Sequence, residues 1–292
     1  MSELDSLLGP SQGRRAPGII GSRFFFEHVV ELDFGWPVIH IHDPATFHYD
    51  GPGVSFHLQL SNGVPMIDGH LTAPDGTVVP MRLLVDLGAK STLLVAEPFI
   101  RAHGLMTRFP QSVVSPLGAG IGGETRYAFV RVPRLTLDAP MNGASAIATD
   151  SLVAGLSVGG TLRSTWYDGL LGADFLRRYR VIFDYPHERL ILEAREPAVP
   201  NAEYDMSGMY LLASGADRHR YVVRELVAGG PAATAGVLVG DVIATVDGRP
   251  ASGMTLSAVR RALRSRDGRD VRLDVERAGV RSTITVRLTR LI

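Results

Sequence analysis

The chain has 292 residues, with 30 basic and 30 acidic side chains and no cysteine. That excludes a disulfide framework, a thiol nucleophile and cysteine metal sites, and leaves no net field to draw in nucleic acid or anionic lipid. Hydrophobic residues make up 45%, with 32 glycines and 18 prolines, a mixture that favours short strands and turns and excludes a disordered or collagen-like chain. The length suits about two domains at ~100–200 residues each, every one able to bury its own core.

In chain order, Met1–Arg15 holds acids and no sustained apolar run, so it is expected to form no element and reads as neither a signal peptide nor a membrane span. Alternating apolar and polar positions predict strands over Val54–Leu60, Val64–Leu71, Val78–Val85, Tyr127–Leu137 and Arg180–Leu192, in a largely antiparallel sheet. Helical spacing is confined to Ala96–His103, Gly172–Tyr179 and Leu256–Arg264. The Pro-rich step from Glu196 to Asn201 reads as a semi-rigid spacer and sets a domain boundary, with a linker over 197–205. Asp33-Phe34-Gly35, Asp68-Gly69, Asp75-Gly76 and Asp247-Gly248 read as turns. His40, His42, His48, His57 and His70 cluster early, but no acid–His spacing completes a ligand set, so no metal and no other cofactor is expected. A nucleotide P-loop, a kinase signature and a serine-hydrolase elbow are not expected either.

Gly18-Ile19-Ile20-Gly21-Ser22-Arg23-Phe24-Phe25 aligns without a gap onto Gly169-Leu170-Leu171-Gly172-Ala173-Asp174-Phe175-Leu176. The register continues, with Val30 on Val181, Asp33 on Asp184 and Phe34 on Tyr185. This predicts a duplication, with residues 1–50 the end of one unit and 51–196 the whole of a second.

Within the second unit, the apolar strand Arg82-Leu83-Leu84-Val85 runs into Asp86-Leu87-Gly88-Ala89. The glycine-rich stretch Gly118-Ala119-Gly120-Ile121-Gly122-Gly123 follows, and Gly169-Leu170-Leu171-Gly172 comes last. In this order the motifs resemble the pepsin and retropepsin superfamily of aspartic peptidases. The resemblance implies an acid-protease fold in which the apolar-apolar-Gly strand threads beside the strand that ends in Asp86. It makes Asp86 the catalytic acid, Leu87, Gly88 and Ala89 the active-site turn, and Gly120, Ile121, Gly122 and Gly123 the flap over a protein or peptide substrate. Such hydrolysis needs two carboxylates that share one proton. One lobe supplies one, so the partner would come from a second copy of the chain or from a first lobe missing before Met1. In the truncated case the resemblance implies an exported, periplasmic protein; the sequence itself assigns no compartment. Leu87 departs from the family, which has Thr or Ser there. The alternative is a catalytically inactive lobe kept as a scaffold.

Residues 206–292 supply the last unit. Gly230-Pro231-Ala232-Ala233-Thr234-Ala235-Gly236 leads through Gly240-Asp241 into Val242-Ile243-Ala244-Thr245-Val246 and Asp247-Gly248. This closely resembles the bacterial PDZ signature. Strands over Val271–Val275 and Ser282–Leu288, with a helix over Leu256–Leu263, complete it. The resemblance places Gly208, Met209, Tyr210 and Leu211 in the carboxylate-binding loop and its strand. A C-terminal peptide would add there to the sheet edge. The expected architecture is therefore mainly β, an aspartic-peptidase-like lobe followed by an α+β PDZ domain. The expected function is aspartic endopeptidase with PDZ-mediated recognition, or, alternatively, PDZ peptide binding on an inactive lobe.

Overall fold

The computed structural model describes residues 3–15, 18–36, 38–120, 123–138, 141, 143–160 and 162–292. The chain opens with α1 (Glu3–Gln12), α2 (Ser22–Glu27), β1 (Val29–Asp33), β2 (Val38–His42), β3 (Val54–His57), β4 (Gln59–Ser61), β5 (Val64–Thr72), β6 (Val78–Asp86) and β7 (Leu93–Val95). It continues through α3 (Glu97–Ala102), α4 (Leu105–Arg108), β8 (Val113–Gly120), β9 (Gly123–Leu137), β10 (Ile147–Gly159), β11 (Gly169–Gly172), α5 (Ala173–Leu176), β12 (Tyr179–Asp184) and β13 (Arg189–Ala194). The C-terminal unit holds β14 (Met209–Ser214), β15 (Arg220–Leu226), α6 (Pro231–Thr234), β16 (Val242–Val246), β17 (Arg249–Pro250), α7 (Leu256–Ala262), β18 (Asp270–Arg277) and β19 (Val280–Arg287).

In the N-terminal region, strands run in the order β4-β5-β6-β11-β7-β10-β9-β8, and β5 also pairs with β9, which closes a barrel. Closure explains Asp68-Gly69, which is not a turn. Gly69 sits in β5 between Met81 and Leu137, and a Cβ there would lie 2.6 Å from the Thr136 carbonyl oxygen. Phe56, Leu58, Ile67, Leu71, Leu83, Leu93, Leu135, Leu137 and Phe175 fill the core beneath. Fully burying each aliphatic or aromatic side chain is worth about 1.5–3 kcal/mol, and this is what holds the barrel shut.

A second sheet runs β2-β1-β12-β13-β3. Two predicted strands change form here. Val54–Leu60 divides at Leu58, whose N–H donates to the Glu188 carbonyl, so β3 and β4 enter different sheets. Arg180–Leu192 folds into a hairpin, because Tyr185–His187 makes a single 3-10 turn and Glu188 takes a left-handed φ of 51°. The sheets are not wholly antiparallel: β6 runs parallel to β11 and β7 parallel to β10. The helix expected over Gly172–Tyr179 is confined to α5, since Tyr179 is already paired in β12.

The repeat also stops short. Ser22–Glu27 and Ala173–Leu176 are both helices followed by strands, but Gly18–Gly21 is exposed and lies in no strand, whereas Gly169–Gly172 is buried in the barrel. Trp36, Val38, Ile39 and Ile41 are exposed on and beside the terminal strand β2. The start of the chain is a correction as well, because Glu3–Gln12 is the helix α1, packed against β14 and β8.

In the C-terminal unit the strand order is β14-β15-β16-β18-β19, with β17 on β16 and α7 beside the sheet. Its core is Tyr221, Val223, Ile243, Leu256, Val259, Val271, Leu273, Val275 and Val286. The unit packs on the barrel through Ile292, Leu291, Tyr204 and Val227 against Leu94, Val113, Tyr127 and Phe129. Arg126 donates to both oxygens of Glu225 at 2.9 and 2.6 Å. No helix among the described residues is long and apolar enough to cross a membrane.

Candidate functional site

The Asp86 turn forms where β6 ends. Leu171 and Gly172 of β11 lie in parallel register beside Val85 and Asp86. Gly172 is there because nothing larger fits: a Cβ would stand 2.3 Å from the Ser91 carbonyl oxygen and 2.7 Å from that of Ala89. The half-buried Asp86 takes the Gly88 N–H on Oδ1 at 2.8 Å and so closes its own turn. Leu87 packs against the barrel core, and Ala89 borders the cluster that holds the C-terminal unit. Among the described residues, no hydrogen bond joins Asp86 to a second carboxylate. The β8–β9 hairpin brings Gly120 opposite Gly123, while Ile121 and Gly122 lie outside the described residues.

Beside this turn stands Lys90, the one lysine in the sequence. Its ammonium donates to Ser257 Oγ of α7 at 3.3 Å. Desolvation at the junction, with the positive charge of Arg260 nearby, lowers its pKa from the ordinary 10.5 to about 8.

Gly155-Leu156-Ser157-Val158-Gly159 does fit the G-x-S-x-G spacing, a signal the sequence reading passes over. In the structure it is no nucleophile elbow. Ser157 is 3% exposed and lies within β10, at a register shift against β9, instead of on a strand-to-helix turn. His42 lies 3.1 Å from Glu31, and His48 lies 2.7 Å from Asp50. His70 pairs with Asp138. His40 and His42 stack with ring centres 6.2 Å apart, and His42 and His48 line one cavity with Glu31, Asp43 and Asp50.

The second candidate is the groove between β14 and α7. β14 ends its sheet, and among the described residues no strand lies beside its outer edge. At its start Gly208 takes φ 75°, which turns successive amides toward one point. That point is occupied by the Asp205 carboxylate. Oδ1 accepts from Ser207 N at 2.9 Å, Gly208 N at 2.8 Å, Met209 N at 3.3 Å and Ser207 Oγ at 2.6 Å. The arrangement is a carboxylate cradle built from backbone amides. Burial raises the Asp205 pKa, opposed by the Ser207 hydrogen bond and the positive charge of Arg264. Met206 N–H donates to the Leu263 carbonyl and so ties the cradle to the end of α7. From α7, Arg260 Nη2 donates to the Leu211 carbonyl at 2.7 Å, and its guanidinium stands 6.0 Å from the Tyr210 ring centre. Gly208, Met209, Tyr210 and Leu211, the residues expected to bind peptide, follow one another at the head of β14. The structure adds Asp205, Ser207 and Arg260, which the sequence reading missed.

Comparison with known proteins bears on the C-terminal unit. No curated protein matches the sequence. Among solved structures, a photosystem II C-terminal processing protease is 27% identical over 30% of this chain and 24% of its own, with a TM-score of 0.28. An HtrA-type protease, AlgW with decapeptide, is 15% identical over 90% and 80%, with a TM-score of 0.30. A serine endoprotease from Yersinia pestis is 12% identical over 94% and 100%, with a TM-score of 0.29. This chain spans about a quarter or less of the first two structures it matches. The expected aspartic endopeptidase is corrected here: among the described residues no second carboxylate is hydrogen-bonded to Asp86, whose Oδ1 closes its own turn. The family model for the PDZ domain matches residues 222–277, and the C-terminal unit of this chain is a PDZ domain.

Proposed function

We propose that the chain is a peptide-binding protein. Its PDZ domain takes the C-terminal end of a protein or peptide by strand addition to β14, and the β-rich lobe is the scaffold that holds the domain. One observation carries this: the Ser207, Gly208 and Met209 amides converge on a carboxylate at the head of a terminal strand. Backbone donors arranged this way recognise a free carboxylate, and the strand edge supplies sequence-tolerant hydrogen bonds. We read the lobe as an acid-protease-like fold, a reading supported by the parallel β6–β11 pair, with Gly172 beside Asp86, and by the glycine-rich β8–β9 hairpin.

The test measures fluorescence anisotropy of short labelled peptides on the full chain, each with a free or an amidated C-terminus. The free form should bind, with affinity reduced at least about tenfold on amidation, the loss of roughly one charge-assisted hydrogen bond. Equal binding of both forms contradicts the proposal. The protease titles of the similar structures are a reason to follow the same peptides for cleavage, and a product would add a peptidase step to the binding.

A further inference from the structure

The groove that should receive a peptide already holds part of its own chain. α1 lies against β14, the strand that a ligand would extend, and against β8 of the lobe, and Arg260 of α7 reaches its end from the other wall. Three contacts fix it there. Arg218, at the β14–β15 turn, donates through Nη2 to the Asp5 carbonyl at 3.0 Å and to Asp5 Oδ2 at 3.1 Å, with both side chains over nine-tenths buried. Gly9 passes so close over this pair that a Cβ would lie 2.3 Å from Arg218 Cζ. At the far end, Arg260 Nη1 donates to the Ser11 carbonyl at 2.8 Å, capping the helix, while its Nη2 holds Leu211 of β14. Gly13 then leaves the groove in the left-handed region, at φ 69°, with its Cβ position 2.6 Å from Leu256 Cβ.

The contacts at the α7 end use groups that peptide binding needs. Leu211 offers a β14 carbonyl to an added strand, and Arg260 and Leu256 belong to the groove's helical wall. The cradle is filled in the same way, by Asp205. These contacts, together with the packing of α1 on β8, are what hold the helix, because ten residues with Pro10 inside them are marginal alone.

We propose that α1 is an internal occupant of the PDZ groove, and that a peptide with a free C-terminal carboxylate binds only by displacing it. The proposal rests on the peptide-binding reading above. Apparent affinity then equals intrinsic affinity reduced by the open fraction, so α1 docked about 90–99% of the time weakens binding about 10- to 100-fold.

The test compares the full chain with a variant carrying Asp5→Ala and Gly13→Val. The first change removes the buried partner of Arg218, and the second puts a β-branched residue into a left-handed position against Leu256. Short peptides with free C-terminal carboxylates are titrated against both. The variant should bind about tenfold more tightly or better, and a synthetic peptide of residues 3–13 should compete only on the variant. Equal affinity overturns the internal-occupant proposal and leaves the peptide-binding reading intact. No binding to either protein overturns both. Hydrogen exchange on the unmodified chain gives a second readout. Saturating peptide should expose the α1 amides, and unchanged protection with peptide bound refutes displacement.

Discussion

Asp205 fills the cradle that a ligand carboxylate would use, so Asp205→Ala should weaken the fold and strengthen binding. Four hydrogen bonds converge on Oδ1, from three backbone amides and the Ser207 hydroxyl. Bonds to a charged acceptor contribute about 1.5–3 kcal/mol each, but the sum overstates the loss. The same carboxylate carries a burial cost, which raises its pKa and which its removal relieves. A net destabilisation of about 1–3 kcal/mol follows. Binding moves the other way, because two carboxylates about 4 Å apart repel by about 4 kcal/mol at an effective dielectric of 20. Partial relief of that repulsion raises affinity at least about tenfold. Asp205→Asn keeps an acceptor oxygen without the charge and should fall between. Burial holds the folded Asp205 pKa above that of the unfolded chain. Its stability contribution is therefore complete at low pH and is lost as pH rises through the folded value. For the same reason, peptide affinity should rise as pH falls through that value, until the ligand's own carboxyl protonates near ~3.3–3.7. Urea unfolding and anisotropy measure the two effects. A folded Asp205→Ala protein that binds more weakly would show that Asp205 builds the cradle instead of blocking it.

Three further outcomes follow from the lobe. Gly172→Ala drives a Cβ into the Ser91 and Ala89 carbonyl oxygens, so urea unfolding should show a loss of about 1–3 kcal/mol or more; a change below about 0.5 kcal/mol would contradict the close packing of β11 on the Asp86 turn. Lys90, with its pKa lowered to about 8, should acylate with amine reagents at a rate that reaches half its plateau near pH 8, as followed by peptide mass mapping. A midpoint near the ordinary 10.5 would mean that the junction with α7 is wet and open. Asp86→Asn retains an oxygen for the Gly88 amide, so it should leave peptide affinity unchanged and cost at most about 1 kcal/mol in urea unfolding. Lost binding in that variant would place Asp86 in the recognition machinery.

The PDZ domain was legible because its signals are local. Asp247 and Gly248 take φ values of 50° and 77°, the paired left-handed turn that an Asp-Gly step between strands announces. Asp241 closes its turn by accepting from the Leu238 amide at 2.9 Å and from Arg277 at 2.7 Å. β6, β9 and β11 were legible through alternation or a glycine-flanked apolar pair. β10 was not, because Leu152, Val153, Ala154, Gly155 and Leu156 are all buried and a strand covered on both faces shows no alternation. α1 was hidden for a different reason. Gly9, Pro10 and Gly13 argue locally against a helix, and the residues that stabilise it, Arg218, Leu256 and Arg260, are distant in sequence. Asp205 shares that cause, since its role depends on a loop whose left-handed Gly208 becomes visible only once β14 is placed.

Amide chemical shifts of Gly208 and Met209 in the full chain test the peptide-binding claim most directly. Titration with a short peptide bearing a free C-terminal carboxylate should move both resonances, saturably and together with those of α1, while the amidated peptide at the same concentrations should leave them in place. Movement with both peptides alike, or binding that shifts other amides and leaves Gly208 and Met209 unchanged, would contradict recognition of a C-terminal carboxylate at this cradle.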